Sequence, residues 1–300
     1  MKANMATSVR QRLRNLARDQ GVDYNRLQLL YVQERWLARL SRSSHRDRLI
    51  LKGGLYLYGN FGLASRPTRD IDFLGRATPA EVVQTVQMVH DIASIDLPDG
   101  VHFDPTTIRG EENRAATEYG GVRIELTAYL GSARERLQID VGFGDALPTG
   151  PTEVDYPTLL DAPPPNVLAY SLETVIAEKL QAATVLYEVN SRYKDFYDIH
   201  QLAISQAFEA QDLHRAIEAT FNRRGTAIPE AHRLFAPAFA DDQGRQAQWS
   251  AFLKRIRQTS PDSFPDLMKD IDAFIGPILS GATRGSWNPA ERAWTDDEST

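Results

Sequence analysis

Two adjacent glycines, Gly53 and Gly54, separate a short apolar run from a stretch with helical character, and an Asp-x-Asp pair follows at Asp70 and Asp72. Paired glycines between a strand and a helix let the backbone approach a ligand closely, and they direct backbone amides and the helix N-terminus at a phosphate. This succession therefore predicts a strand, a tight turn, a helix and a second strand around an anion-binding turn.

The carboxylates near this turn are spaced as metal ligands are. Asp70 and Asp72 lie two residues apart on a predicted strand over 70–74, so both side chains leave the same face. Like charges side by side need neutralisation, and oxygen ligands suit Mg²⁺. Asp140 lies between two apolar residues of another predicted strand and adds a third acid, and three converging acids suit metal-assisted nucleotidyl displacement. The alternative is a solvated pair of aspartates at a strand end.

Patterning along the chain predicts an α+β fold. Apolar spacing indicates two basic helices before residue 43, a helix from Thr78 to about residue 94, and two strands over 121–129 and 135–142. The Pro-rich segment 159–170 is the clearest boundary, and helical patterns follow it. We expect residues 1–162 to form the N-terminal helices and a core with a small mixed sheet, and residues 163–300 to form a helical domain with a frayed polar tail.

Composition excludes several classes of site. The absence of cysteine excludes disulfides, thiolate nucleophiles and Cys-ligated metals. No stretch approaches the roughly eighteen apolar residues of a membrane span, and the N-terminus lacks the apolar core of a secretory signal, so we expect a cytoplasmic protein. The net charge of −6 divides into twelve Lys/Arg against four Asp/Glu over 1–52 and eight against seventeen over 53–162. A basic arm of this kind can attract a polyanion.

The helical half supplies cations next to acids. Lys179 lies within an apolar helix, and Lys194 precedes Asp195 and lies one turn before Asp198. Lys179 and Lys194 are candidates for binding a triphosphate, with Asp195 or Asp198 orienting them. The alternative for Lys194 and Asp198 is an ordinary surface pair at i,i+4 spacing.

Taken together, these segments resemble the nucleotidyltransferase toxins of the AbiEii/AbiGii type, which include the mycobacterial MenT enzymes of toxin–antitoxin and abortive-infection systems. The resemblance runs from about residue 31 to residue 202. Its ordered blocks are 31–41 (YVQERWLARLS), 51–54 (LKGG), 69–73 (RDIDF), 138–145 (QIDVGFGD), 170–179 (YSLETVIAEK) and 192–199 (RYKDFYDI).

The resemblance implies a DNA-polymerase-β-like nucleotidyltransferase core, Mg²⁺ as cofactor, an NTP substrate and a cognate antitoxin. It implies that Asp70 and Asp72 bind metal, that Lys179 contacts the nucleotide, and that Asp198 or Asp195 is an essential acid. Asp140 falls where such enzymes carry a third acid, as a ligand or as the base for the acceptor hydroxyl. Some relatives modify the 3′ end of tRNA and block translation. A protein or small-molecule hydroxyl is the alternative acceptor, and a catalytically silent binding module is the alternative function.

Two sets of residues extend this hypothesis. Lys52, Gly53 and Gly54 are expected to neutralise phosphate, whereas Leu55 stands where relatives carry a hydroxyl, so Ser65 or the backbone would replace that contact. The basic helices are a candidate RNA surface. Its arginines are Arg10, Arg14, Arg35 and Arg42. The alternatives are that these arginines only solubilise the helices or that they dock an antitoxin.

Overall fold

The computed structural model describes residues 2–77, 81–113, 120–186, 192–228, 233–258 and 263–295. The chain forms two compact units. The first comprises Met1–Asp145 and Pro151–Tyr170, and the second comprises Ala146–Gly150 and Ser171–Thr300. Among the described residues, no helix combines the length and apolar character that crossing a bilayer requires.

A seven-stranded mixed sheet lies at the centre of the first unit. Its strands are β1 (Leu49–Lys52), β2 (Asp70–Gly75), β3 (Val101–Glu112), β4 (Gly121–Leu130), β5 (Ala133–Phe143), β6 (Thr152–Asp155) and β7 (Asn166–Ala169). Their order is β3-β4-β5-β2-β1-β7-β6. The pairs β2–β5 and β1–β7 are parallel, and the other neighbours are antiparallel. The predicted α+β class with a mixed sheet is confirmed, and the sheet is larger than expected.

The described part of the first unit contains four α-helices: α1 (Lys2–Gln20), α2 (Tyr24–Leu40), α3 (Gly53–Phe61) and α4 (Val82–Ala93). Helix α2 begins where Asp23 accepts a hydrogen bond from the Arg26 amide at 3.0 Å. The helix contacts α4, β5 and β7 and is buried over most of its surface. Its residues therefore face protein on most sides, which the predicted amphipathic pattern did not show. The expected helix start at Thr78 lies outside the described residues.

The predicted strands over 70–74, 121–129 and 135–142 correspond to β2, β4 and β5, while β3, β6 and β7 were not predicted. Strand β7 pairs in parallel with β1, placing Leu168 opposite Ile50. The first unit therefore extends to Tyr170 instead of ending at the expected residue 162, because the end of the Pro-rich segment belongs to its sheet.

The second unit is mainly helical, as expected. Its helices are α5 (Leu172–Val185), α6 (Tyr193–Ala203), α7 (Ala210–Arg223), α8 (Pro237–Ala240), α9 (Gln243–Ile256) and α10 (Phe264–Leu279). Ser171 caps α5 by accepting from the Thr174 amide at 3.2 Å. A small antiparallel sheet completes the unit, formed by β8 (Phe208–Glu209), β9 (Ser286–Asn288) and β10 (Ala293–Trp294).

The expectation of a frayed polar tail, which we place from about Gly281 onwards, is wrong for the part of the tail that the structure describes. Trp287 is 2% exposed and its Nε1 donates to the Ala203 carbonyl at 2.6 Å. Trp294 stacks on Phe274 with ring centroids 5.8 Å apart. Trp294 is half-buried, and its Nε1 donates to the Phe274 carbonyl at 2.9 Å. Both tryptophans thus satisfy their indole N–H groups and hold the segment against the helices.

Candidate active site

The glycine turn brings the start of α3 against an aspartate of the neighbouring strand. Strand β1 ends at Lys52, and Gly53 begins α3 with a φ of +69°. A Cβ on Gly53 would lie 2.0 Å from Oδ2 of Asp72. Both the left-handed backbone and this close approach require glycine, so the turn and the carboxylate form one local structure.

Three aspartates converge beside this turn. Asp70 and Asp72 share a face of β2, and Asp140 stands opposite Asp72 on the parallel strand β5. Ligand oxygens of the three carboxylates lie within 4.8 Å of one another. Two oxygens bound to the same Mg²⁺ are separated by up to about 4.2 Å, given Mg–O distances near 2.1 Å. Small side-chain rotations therefore suffice, and the all-oxygen donor set fits Mg²⁺.

The aspartates belong to a row of charged residues that crosses five strands. Strand register places Lys52 opposite Asp72, Asp72 opposite Asp140, Asp140 opposite Arg123, and Arg123 opposite Glu111. The pair of acids at the centre of this row, Asp72 and Asp140, thus lies between two cations, Lys52 next to Asp72 and Arg123 next to Asp140. Cross-strand neighbours of opposite sign reduce the repulsion between the central acids when no metal is bound.

Arg123 is a site residue that the sequence analysis missed. Its Nε donates to Asp140 Oδ1 at 2.8 Å and its Nη2 to Oδ2 at 3.1 Å, so it binds both carboxylate oxygens. Gln138 Nε2 also donates to Oδ2 at 2.8 Å. The hydrogen bonds to Asp140 raise the pKa of Arg123, and the charges of Asp140, Glu111 and Asp70 act in the same direction. Asp140 is thereby fixed in orientation.

The hydroxyl of Thr68 lies at the glycine turn, for which Ser65 was the expected phosphate contact. Ser65 is buried, and its hydroxyl donates to the Gly62 carbonyl at 2.8 Å. A Cβ on Gly54 would lie 2.7 Å from Thr68 Oγ1 and 3.3 Å from Arg66 Nη1. Thr68 Oγ1 also donates to Asp70 Oδ1 at 2.9 Å. Thr68 lies two residues before Asp70, at the same spacing that predicted a shared face for Asp70 and Asp72, but the sequence analysis did not single it out.

Lys52 is anchored at the end of the sheet. Its Nζ donates to Asp145 Oδ2 at 2.5 Å and lies 5.2 Å from the centroid of the Tyr170 ring. The Tyr170 hydroxyl donates to the same carboxylate oxygen at 2.8 Å. Asp145, which the sequence analysis did not single out, therefore orients the lysine that precedes the glycine turn.

In the second unit, Lys179 is enclosed by acids. Its Nζ donates to Asp195 Oδ1 at 3.0 Å and to Asp198 Oδ2 at 2.7 Å, and all three side chains are buried. Burial alone raises the pKa of Asp195, but the charges of Lys179 and Arg192 outweigh it, and the net effect is a lowered pKa. Lys194 is exposed on α6. The surface pairing of Lys194 with Asp198 was the alternative interpretation, and Asp198 instead accepts from Lys179.

The four arginines proposed for RNA binding have different environments. Arg14 and Arg42 are exposed, and Arg10 is half-buried with Nη1 donating to Ser132 Oγ at 3.0 Å. Arg35 is 4% exposed and pairs with buried Glu34. The expectation that Arg35 lies on an RNA surface is therefore wrong, because α2 is buried on this side and the guanidinium serves as an internal counter-ion.

The model of a protein family described as the nucleotidyl transferase AbiEii toxin of type IV toxin–antitoxin systems matches residues 35–275. The chain is similar in fold to MenT4, a nucleotidyltransferase toxin from Mycobacterium tuberculosis H37Rv, with a TM-score of 0.56 and 18% identity over 89% of this chain and 93% of that chain. JHP933 from Helicobacter pylori gives a TM-score of 0.48 and 15% identity over 85% and 93% of the two chains. No curated protein sequence matches.

Proposed function

Because the chain belongs to the AbiEii family of nucleotidyl transferase toxins and is therefore a nucleotidyltransferase, we propose that it transfers a nucleoside monophosphate from an NTP to an RNA 3′-hydroxyl. The family match bears out the resemblance seen in the sequence. Membership of a type IV toxin–antitoxin family also implies a nucleotide substrate and an antitoxin partner. We propose the 3′ end of tRNA as the acceptor, with a block of translation as the consequence and the cytoplasm as the location.

The observation that carries the proposal is the aspartate cluster beside the glycine turn. Asp70, Asp72 and Asp140 are the residues that would hold Mg²⁺. When bound there, Mg²⁺ would stabilise negative charge on the reacting phosphate groups. Helix α3 begins at Gly53 and Gly54 without a side-chain cap, and the first amides of a helix favour an anion.

The residues around the turn would then bind and orient the triphosphate. Lys52 adds positive charge next to the turn, with Asp145 fixing its position. In the reaction, the 3′-hydroxyl oxygen forms a bond to the α-phosphorus while the bond from that phosphorus to the β-bridging oxygen breaks, and pyrophosphate leaves. Asp140 either accepts the hydroxyl proton or completes the ligand set. We also propose that Lys179 and Lys194 contact the triphosphate, with Asp195 and Asp198 as their orienting acids.

Nucleotide transfer by Asp72→Asn tests this proposal. The purified protein is incubated with Mg²⁺, each of the four labelled NTPs in turn and total cell RNA, and the products are separated by electrophoresis. We expect label in a tRNA band for the unmodified chain. We expect at least a hundredfold loss for Asp72→Asn, since the variant keeps the shape of the side chain but lacks the charge that binds the cation.

Asp155→Asn is the matched control, because Asp155 is an exposed strand aspartate of the same unit. Growth inhibition on expression is measured in parallel. Label in protein instead of RNA would show that the acceptor is a protein hydroxyl. Full toxicity of Asp72→Asn would contradict the mechanism.

A further inference from the structure

Arg123 occupies a position that conflicts with a bound cation. Its guanidinium donates to both oxygens of Asp140, at 2.8 Å and 3.1 Å, and Asp140 is one of the three acids of the candidate metal site. A cation bound through Asp140 would therefore lie within a few ångströms of a permanent positive charge. The guanidinium of Arg123 therefore has opposite effects on two ligands. It repels a free divalent cation, whereas it attracts a polyphosphate.

The surroundings of Arg123 make both effects strong. The side chain is 34% exposed, so it can reach a ligand at the sheet face, while Asp140 is only 14% exposed and is poorly screened by solvent. On its other side, Glu111 stands opposite Arg123 on β3. The negative charge of Glu111 attracts the guanidinium as well, so this attraction persists when a cation reduces that of Asp140.

We propose that Arg123 makes the aspartate site bind a divalent cation together with a polyphosphate, and disfavours the cation alone. The inference rests on the proposed function, in which Asp70, Asp72 and Asp140 receive a metal–nucleotide complex. Arg123 acts as a positioning residue: without ligand it orients and neutralises Asp140, and with ligand it shares its hydrogen bonds with phosphate oxygens. Metal occupancy then depends on the presence of the triphosphate.

Calorimetric titration tests this proposal without any transfer reaction. The two ligands are free Mn²⁺ and the preformed complex of Mn²⁺ with tripolyphosphate. Free Mn²⁺ should bind to Arg123→Gln roughly tenfold more tightly than to the unmodified chain, because a repelling charge is lost. The preformed complex of Mn²⁺ with tripolyphosphate should bind roughly tenfold more weakly, because a charged phosphate partner is lost. Arg123→Lys keeps the charge and should stay near the unmodified chain in both titrations.

The control is Arg136→Gln, which removes an exposed arginine from the same pair of strands, where it stands opposite Thr127 and forms a diagonal ion pair with Glu125. It should change neither affinity. A thermal melt of each variant checks folding. Weaker or unchanged binding of free Mn²⁺ by Arg123→Gln would overturn the proposal, as would a lysine variant that behaves like the glutamine variant.

Failure of this inference is distinguishable from failure of the proposed function. Suppose that the unmodified chain transfers nucleotides and binds Mn²⁺, but that Arg123→Gln does not bind free Mn²⁺ more tightly and the Mn²⁺–tripolyphosphate complex more weakly. Only the role of Arg123 is then wrong. If the unmodified chain binds Mn²⁺ in neither form and Asp72→Asn transfers normally, the metal site itself is wrong.

Discussion

Gly53 meets two separate steric requirements, and Gly21 meets only one of them. Both residues have positive φ, +69° and +64°. Around Gly21 no atom lies within 4 Å of the position of a Cβ, whereas at Gly53 that position is 2.0 Å from Asp72 Oδ2. Comparing a substitution at Gly53 with one at Gly21 therefore separates the cost of backbone strain from the effect of displacing the Asp72 carboxylate.

We expect Gly53→Ala and Gly21→Ala each to lose about 1–2 kcal/mol of unfolding free energy from the left-handed backbone alone. Gly53→Ala should lose more, and it should also lose Mn²⁺ binding, because Asp72 has to move. Urea denaturation and Mn²⁺ titration of both variants check this. Equal metal affinity in the two variants would mean that Asp72 tolerates the shift.

Some residues of the site could be predicted from the sequence and others could not. The period of two along β2 predicted the shared face of Asp70 and Asp72, and flanking isoleucine and valine predicted the orientation of Asp140. Arg123 was missed because its partner Asp140 is seventeen positions away in the chain, and only strand register pairs them. Thr68 was missed for a related reason, since its approach to Gly54 depends on how the segment before β2 folds back.

Helices α5 and α6 are joined by a buried charge cluster. Lys179 on α5 donates to Asp195 and Asp198 on α6, and all three side chains are at most 10% exposed. Removing one partner of a buried ion pair leaves uncompensated charge in a medium that solvates it poorly. The cluster thus ties the positions of these helices to the charge of one lysine.

Lys179→Met should lower the unfolding free energy by about 3 kcal/mol at pH 7, because buried Asp198 and Asp195 both lose the lysine charge. Asp195 keeps a second cation, Arg192. The pKa of Asp195 is lowered in the folded chain. Its stabilising contribution is therefore complete above the unfolded pKa of about 4 and is lost as the pH falls further. The difference between the unmodified chain and the variant should shrink below pH 4.

Urea denaturation at pH 7 and pH 3.5 measures both effects. Lys194→Met is the matched control, since it removes an exposed lysine of α6 and should change the unfolding free energy by less than about 0.5 kcal/mol. A difference for Lys179→Met that is independent of pH would show that packing, not charge, joins the helices.

The helices and strands that could be predicted are those whose apolar residues repeat regularly along the sequence. Helices α5, α6, α7, α9 and α10 carry long apolar repeats, and strands β4 and β5 alternate clearly. Strand β3 contains Pro105 and a register shift between Asp104 and Arg109, so its alternation is interrupted. Strand β7 is four residues long, and its pairing with β1 depends on a partner far away in the chain.

For the molecule as a whole, the formal charge of residues 1–52 overstates the positive charge that a ligand meets. Buried Arg35 pairs with Glu34, and buried Arg39 donates to Asp99 at 2.7 Å. The exposed arginines include Arg14 and Arg42. An RNA surface on this segment therefore depends on fewer cations than the sequence suggests, and each should matter more.

The double variant Arg14→Gln/Arg42→Gln should bind tRNA more weakly, because phosphate contacts by exposed arginines release counter-ions from the RNA. The slope of log affinity against log salt concentration should become shallower by about 1.5 if both side chains contact phosphate. Filter binding across a salt series measures this. Lys254→Gln/Arg255→Gln, which removes two exposed cations of α9, is the control and should leave the slope unchanged. An unchanged slope for Arg14→Gln/Arg42→Gln, with antitoxin binding weakened, would assign this surface to the antitoxin instead of to RNA.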